Sequence, residues 1–165
     1  MSSPKILIFL AVLFFISCEK DENEEARLAI SDHWHVWTFE PSADVSAEDA
    51  RLAKESILQL VEIGCDPLEL TFKTDGVVKF AEELSKLEPT ITEDDDVEVS
   101  CASSTDEYLG TFDFDYSELI LNFDSGSKKY SARLEDKYLI IEANDLTFMG
   151  KTISGTLYYI RETGH

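Results

Sequence analysis

Residues 108–134 read YLGTFDFDYSELILNFDSGSKKYSARL. Phe112, Phe114 and Tyr116 alternate with Thr111, Asp113 and Asp115, the period of a strand with an aromatic face and a carboxylate face. After Ser117 the chain resumes at Glu118 to Phe123, and Asp124-Ser125-Gly126-Ser127 supplies the turn into a further strand at Lys128 to Leu134. Three consecutive strands joined by turns too short for a crossover helix must run antiparallel.

The same grammar extends to both sides. Upstream, Leu68, Leu70 and Phe72 alternate with Glu69, Thr71 and Lys73, and Thr74-Asp75-Gly76 turns into Val77 to Phe80. Val97 to Ala102 reads as another strand. Downstream come Tyr138 to Ala143 and Thr152 to Arg161, joined by Leu146 to Met149, which has strand character of its own. A first strand is expected around Trp34 to Phe39, with Trp34, Val36 and Thr38 on one face and His35, Trp37 and Phe39 on the other. Between it and Leu68, Ser46 is placed to cap a helix in which Ala50, Ala53, Ile57, Leu60 and Val61 recur at helical spacing, and Gly64 ends it. Residues 82–98 carry Pro89 and the acid run Glu93-Asp94-Asp95-Asp96 and read as a long exposed loop.

An open meander of this length leaves two unpaired edges, and closure removes them. The expected fold is therefore mainly all-β: an up-and-down antiparallel barrel of about eight strands with one α-helix inserted after the first. Phe72, Phe80, Phe112, Phe114, Tyr116, Leu121, Phe123 and Tyr159 are the candidates for its interior. They have bulk enough either to fill it or to line a cavity.

The N-terminus follows different rules. Met1 and Lys5 precede the apolar run Ile6 to Ile16, too short to span a bilayer but suited to a secretory signal. Phe15-Ile16-Ser17-Cys18 then resembles a lipobox, which implies removal of residues 1–17 and lipidation of Cys18. Glu19-Lys20-Asp21-Glu22 resembles the export signal that sends lipoproteins of Bacteroidota to the outer face of the outer membrane. Residues 18–29 are expected to be a flexible tether and residues 30–165 the barrel domain. Dual acylation would hold the chain at a membrane without any apolar membrane-facing surface.

Charge and cysteines narrow the partners. With 14 basic against 34 acidic residues, the chain is unsuited to nucleic acid. Once Cys18 is set aside, Cys65 and Cys101 remain as an even pair, for which a disulfide is the expectation and two buried thiols the alternative.

The order of motifs from Cys65 to Glu162 resembles the lipocalin-like domains of Bacteroidota lipoproteins. It includes Cys65-Asp66, Leu70 to Gly76, Cys101, Gly110-Thr111-Phe112, Leu119-Ile120-Leu121, Tyr138 to Ile141 and Gly155 to Arg161. The resemblance implies that Arg161 lies over Trp34 or Trp37 and closes one barrel end by a cation–π contact.

Candidate chemistry is sparse. His33 and His35, two apart on a strand, share a face, but no third ligand follows nearby and the other histidine is His165. No metal is therefore expected. Glu93 to Asp96 lack the ligand spacing of a calcium loop, and Asp113 and Asp115 read as outer-wall acids. No GxSxG elbow, phosphate loop or Cys–His pairing is visible, so neither catalytic residues nor a cofactor are expected. The leading expectation is non-catalytic binding of a small apolar ligand by a membrane-anchored barrel. Protein–protein interaction at the outer-membrane surface is the second expectation, and an enzyme the remote third.

Overall fold

A computed structural model describes residues 22–162. Residues 1–17, Cys18 and His165 lie outside them, so the signal-peptide and lipidation expectations do too.

Chain order is α1 (Glu22–Ile30), β1 (His33–Pro41), α2 (Ala47–Glu62), β2 (Leu68–Phe72), β3 (Val77–Glu82), a 3-10 turn (Leu84–Lys86), β4 (Thr90–Ile91), β5 (Val97–Glu98), β6 (Asp106–Phe114), β7 (Glu118–Phe123), β8 (Gly126–Glu135), β9 (Tyr138–Phe148) and β10 (Lys151–Arg161). Eight of the strands close into a barrel in the order β1-β10-β9-β8-β7-β6-β3-β2, every pairing antiparallel. The expected mainly-β barrel with a helix after its first strand is the observed one.

Alternation builds the interior. Leu68, Leu70 and Phe72 on β2, Leu119 and Leu121 on β7, and Ile153, Leu157 and Tyr159 on β10 are all buried. Each fully buried side chain of this size contributes roughly 1.5–3 kcal/mol. Gly110 and Gly155 are small for a reason: a Cβ on Gly110 would collide with the Asn122 carbonyl and the Phe123 ring, and one on Gly155 with the Phe39 ring and the Glu40 carbonyl.

Several elements depart from expectation. β1 does not keep strict alternation: its register against β10 shifts between Val36 and Thr38. That bulge lets Trp34, Val36 and Phe39 all point inward and leaves Trp37 47% exposed on the outer wall. Trp37 is thus excluded from any role in closing the barrel end. Tyr116 is also not interior. It follows β6 at a turn with φ +70°, and its ring is 45% exposed. Val97 to Ala102 contributes only the two residues of β5, which pair with β4 in a small hairpin apart from the barrel. β9 is longer than expected and runs without a break through Leu146 to Phe148, absorbing one extra residue where its pairing with β10 shifts.

The largest correction concerns the tether. From Glu22 it is helix, and Ala26 and Ile30, four apart, are wholly buried. The Trp34 indole N–H donates to the Ile30 carbonyl at 2.8 Å and Arg161 donates to the Ala29 carbonyl at 2.7 Å. Acids at the helix start and Arg27 in its last turn suit the helix dipole.

At the opposite end of the barrel, α2 packs Leu52, Ala53, Ile57 and Leu60 into the core and contacts β1. Ser46 caps α2, accepting from the Asp49 N–H at 3.1 Å. Gln59 of α2 accepts from the Val99 N–H at 2.8 Å.

Candidate functional site

The barrel has a filled end and a hollow one. At the filled end, where β2, β6, β8 and β10 finish, Phe72 meets Phe112 edge-on at 4.7 Å, and Phe114, Leu119 and Trp34 pack around them. The Arg161 guanidinium lies 4.8 Å from the Trp34 ring and 3.4 Å from Asp32, and α1 crosses beneath.

At the other end opens a cavity of about 400 Å3. That lies within the roughly 300–1,000 Å3 usual for small-molecule sites. Leu70, Leu121 and Tyr159 line its deeper part, with Phe80, Phe123, Ile141 and Leu157 on the walls. The rim is polar. Lys128 pairs with Asp145 at 2.6 Å, the Tyr130 hydroxyl donates to the same carboxylate at 3.2 Å, and Glu82 accepts from the Ser85 hydroxyl at 2.9 Å. Burial pushes the phenols of Tyr159 and Tyr130 up, with Asp145 adding to the effect on Tyr130. Both phenols therefore stay protonated, and the Tyr130 hydroxyl remains a donor at the rim.

The eight interior candidates therefore divide. Phe72, Phe112 and Phe114 plug the filled end, Phe80, Leu121, Phe123 and Tyr159 line the cavity, and Tyr116 lies outside. Sequence reading missed Leu68, Leu70, Ile141 and Leu157, which carry the same alternation but are aliphatic, and the Lys128, Tyr130 and Asp145 group, whose meeting depends on the β8–β9 register.

Cys65 and Cys101 stand at disulfide distance, with Cα atoms 5.7 Å apart. They join the approach to β2 with the approach to β6 at the hollow end. Beside them Glu83 is buried.

The acidic candidates have structural roles. Asp115 accepts from the amides of Ser117 at 2.9 Å and Glu118 at 2.7 Å, which holds its carboxyl below the usual range and shapes the β6–β7 turn. Asp113 faces outward. Glu93 to Asp96 form the tip of the β4–β5 hairpin, where Asp95 pairs with Arg51 of α2 at 3.1 Å.

His33 and His35 do share the outer face of β1, with ring centroids 4.3 Å apart. The partners that the local sequence lacks arrive from neighbouring segments. Glu162, immediately after β10, places Oε2 at 2.7 Å from His33 Nδ1 and 3.8 Å from His35 Nε2. Asp66 lies 2.9 Å from His35 Nδ1, and Glu69 of β2 2.8 Å from His33 Nε2, though poorly aligned for a hydrogen bond. Burial opposes protonation of His33, but Glu162 and Glu69 outweigh it and hold its pKa above the ordinary imidazole value.

No family model matches the chain, and none of the curated proteins or solved structures does.

Proposed function

We propose that this chain is a membrane-anchored, non-catalytic binding protein that holds a small apolar molecule in its barrel. The observation that carries this reading is the cavity of about 400 Å3 with its aliphatic and aromatic wall. Apolar burial supplies the affinity, while the Lys128–Asp145 pair and the Tyr130 hydroxyl at the rim receive whatever polar end the molecule has. The lipobox-like run ending in Cys18 supports attachment of the barrel to the outer membrane facing the cell exterior, with the periplasmic face as the alternative.

The test is titration of the purified protein with the apolar fluorophore N-phenyl-1-naphthylamine. The expected result is saturable enhancement that a long-chain fatty acid displaces. Ala143→Phe, which places a ring in the cavity wall, is expected to weaken binding about tenfold or more, since a filled cavity excludes the ligand. A wild-type protein that gives no saturable signal, or a folded Ala143→Phe variant that binds as well, would overturn the reading.

A second reading, docking of a protein partner, is favoured by the exposed Ile91 beside the acidic tip Glu93 to Asp96. A specific partner lost when those four acids become serine supports it.

A further inference from the structure

The cluster on the outer wall of β1 has more order than a set of surface ion pairs. His33 and His35 each have two ring nitrogens, and every one of the four faces a carboxylate. His33 Nδ1 and His35 Nε2 converge on a single oxygen, Glu162 Oε2, at 2.7 and 3.8 Å. The two outer nitrogens diverge toward different acids, His33 Nε2 to Glu69 at 2.8 Å and His35 Nδ1 to Asp66 at 2.9 Å. Inner nitrogens converging on one point while outer nitrogens face carboxylates, with His35 Nδ1 hydrogen-bonded to Asp66, is the arrangement of metal-bound histidines. In such sites the outer carboxylate fixes the tautomer and makes the ligating nitrogen more basic.

We propose that His33 Nδ1, His35 Nε2 and Glu162 Oε2 bind one zinc ion, with Asp66 and Glu69 orienting the two imidazoles. One donor atom from each of the three ligands lies within 4.8 Å of the other two. A tetrahedral ion with bonds of about 2.0–2.1 Å needs ligand separations of about 3.3–3.4 Å, between the two distances at Glu162. Small side-chain rotations suffice to equalise them, and Glu162 is 59% exposed and free to make them. The backbone need not move: β10 and β2 flank β1, with His35 opposite Ile160 on one side and Glu69 on the other.

Charge and ligand type select the ion. Metal ligation takes both imidazoles in their neutral form, and beside three carboxylates that leaves a local excess of negative charge for the ion to offset. The nearby Arg161 is directed instead to Asp32 and the Ala29 carbonyl. A divalent cation neutralises most of that excess, and imidazole donors favour zinc over calcium or magnesium. Three protein ligands leave a fourth position for water. The ion ties the end of β10 and the approach to β2 onto β1, across the seam between the chain's first and last barrel strands.

The test is calorimetric titration of the EDTA-stripped full chain with zinc chloride, paired with thermal melting. One ion per chain and a higher melting temperature are expected. His33→Ala or His35→Ala should weaken binding by about 100-fold or more, and Asp66→Asn by about tenfold. Absence of binding tighter than about 0.1 mM overturns the proposal, as does undiminished affinity in the His33→Ala/His35→Ala double variant. X-ray absorption at the zinc edge of the unmodified protein gives a readout that needs no variant: two imidazoles with oxygen ligands are expected, and sulfur or an all-oxygen shell overturns the assignment.

Discussion

At the scale of single residues, Glu83 shows what burial costs a charge. It is 5% exposed, its Oε1 has no partner, and the Ala102 amide on its carboxylate is its main compensation. Burial therefore raises its pKa above the ordinary 4.5, an effect the nearby Asp66 and Glu82 reinforce. Below 4.5 both the folded and unfolded chains hold the proton and the group is neutral to stability. As pH rises, the unfolded chain ionises first, so stability declines until the folded value is passed. Glu83→Gln is expected to raise the melting temperature at pH 7, with the gain vanishing below the unfolded value; paired melts across that range check it. Burial of this kind was not legible in the sequence, because Glu83 sits among acids that read as a solvated loop. The same limit applies to Trp37 and Tyr116. Alternation predicts both faces of a strand correctly only until a bulge or a left-handed turn residue resets the count, and neither announces itself in residue type.

Among the elements, α1 replaces the expected tether, and its seal on the filled end is a packing effect. Ile30 is completely buried and its carbonyl holds the Trp34 indole. Ile30→Ala is expected to destabilise the fold by about 2–4 kcal/mol in chemical denaturation, with a red shift of tryptophan emission, whereas a loose tether would give almost no change. The signal was present as Ala26 and Ile30 at helical spacing, but four acids in residues 21–25 outweighed it. Acidic composition argues for disorder only when nothing nearby offers an apolar surface, and the barrel end offers one. Conversely, α2 was legible because Ser46, the apolar stripe and Gly64 agree with one another.

For the molecule as a whole, strand count and closure followed from alternation and short turns, while the cavity did not. Whether a barrel is hollow depends on which inward side chains meet at the same height, and that is set by register across eight strands. The histidine cluster was hidden for the same reason: His33 and Glu162 are separated by 129 positions and meet only through barrel closure. Chain closure also sets the role of Cys65 and Cys101, 36 positions apart. Linking them removes on the order of 3–4 kcal/mol of unfolded-state freedom. Replacing both by serine is expected to lower unfolding free energy by about that amount, measured in denaturant without reductant. Finally, α1 crosses the filled end, so a chain suspended from the residues just before it points that end at its support. Were the proposed anchor on Cys18 in place, the opening would look away from the bilayer. Cargo of the proposed kind would then have to enter from the surrounding medium or from another protein, rather than by lateral transfer out of the leaflet that holds the anchor.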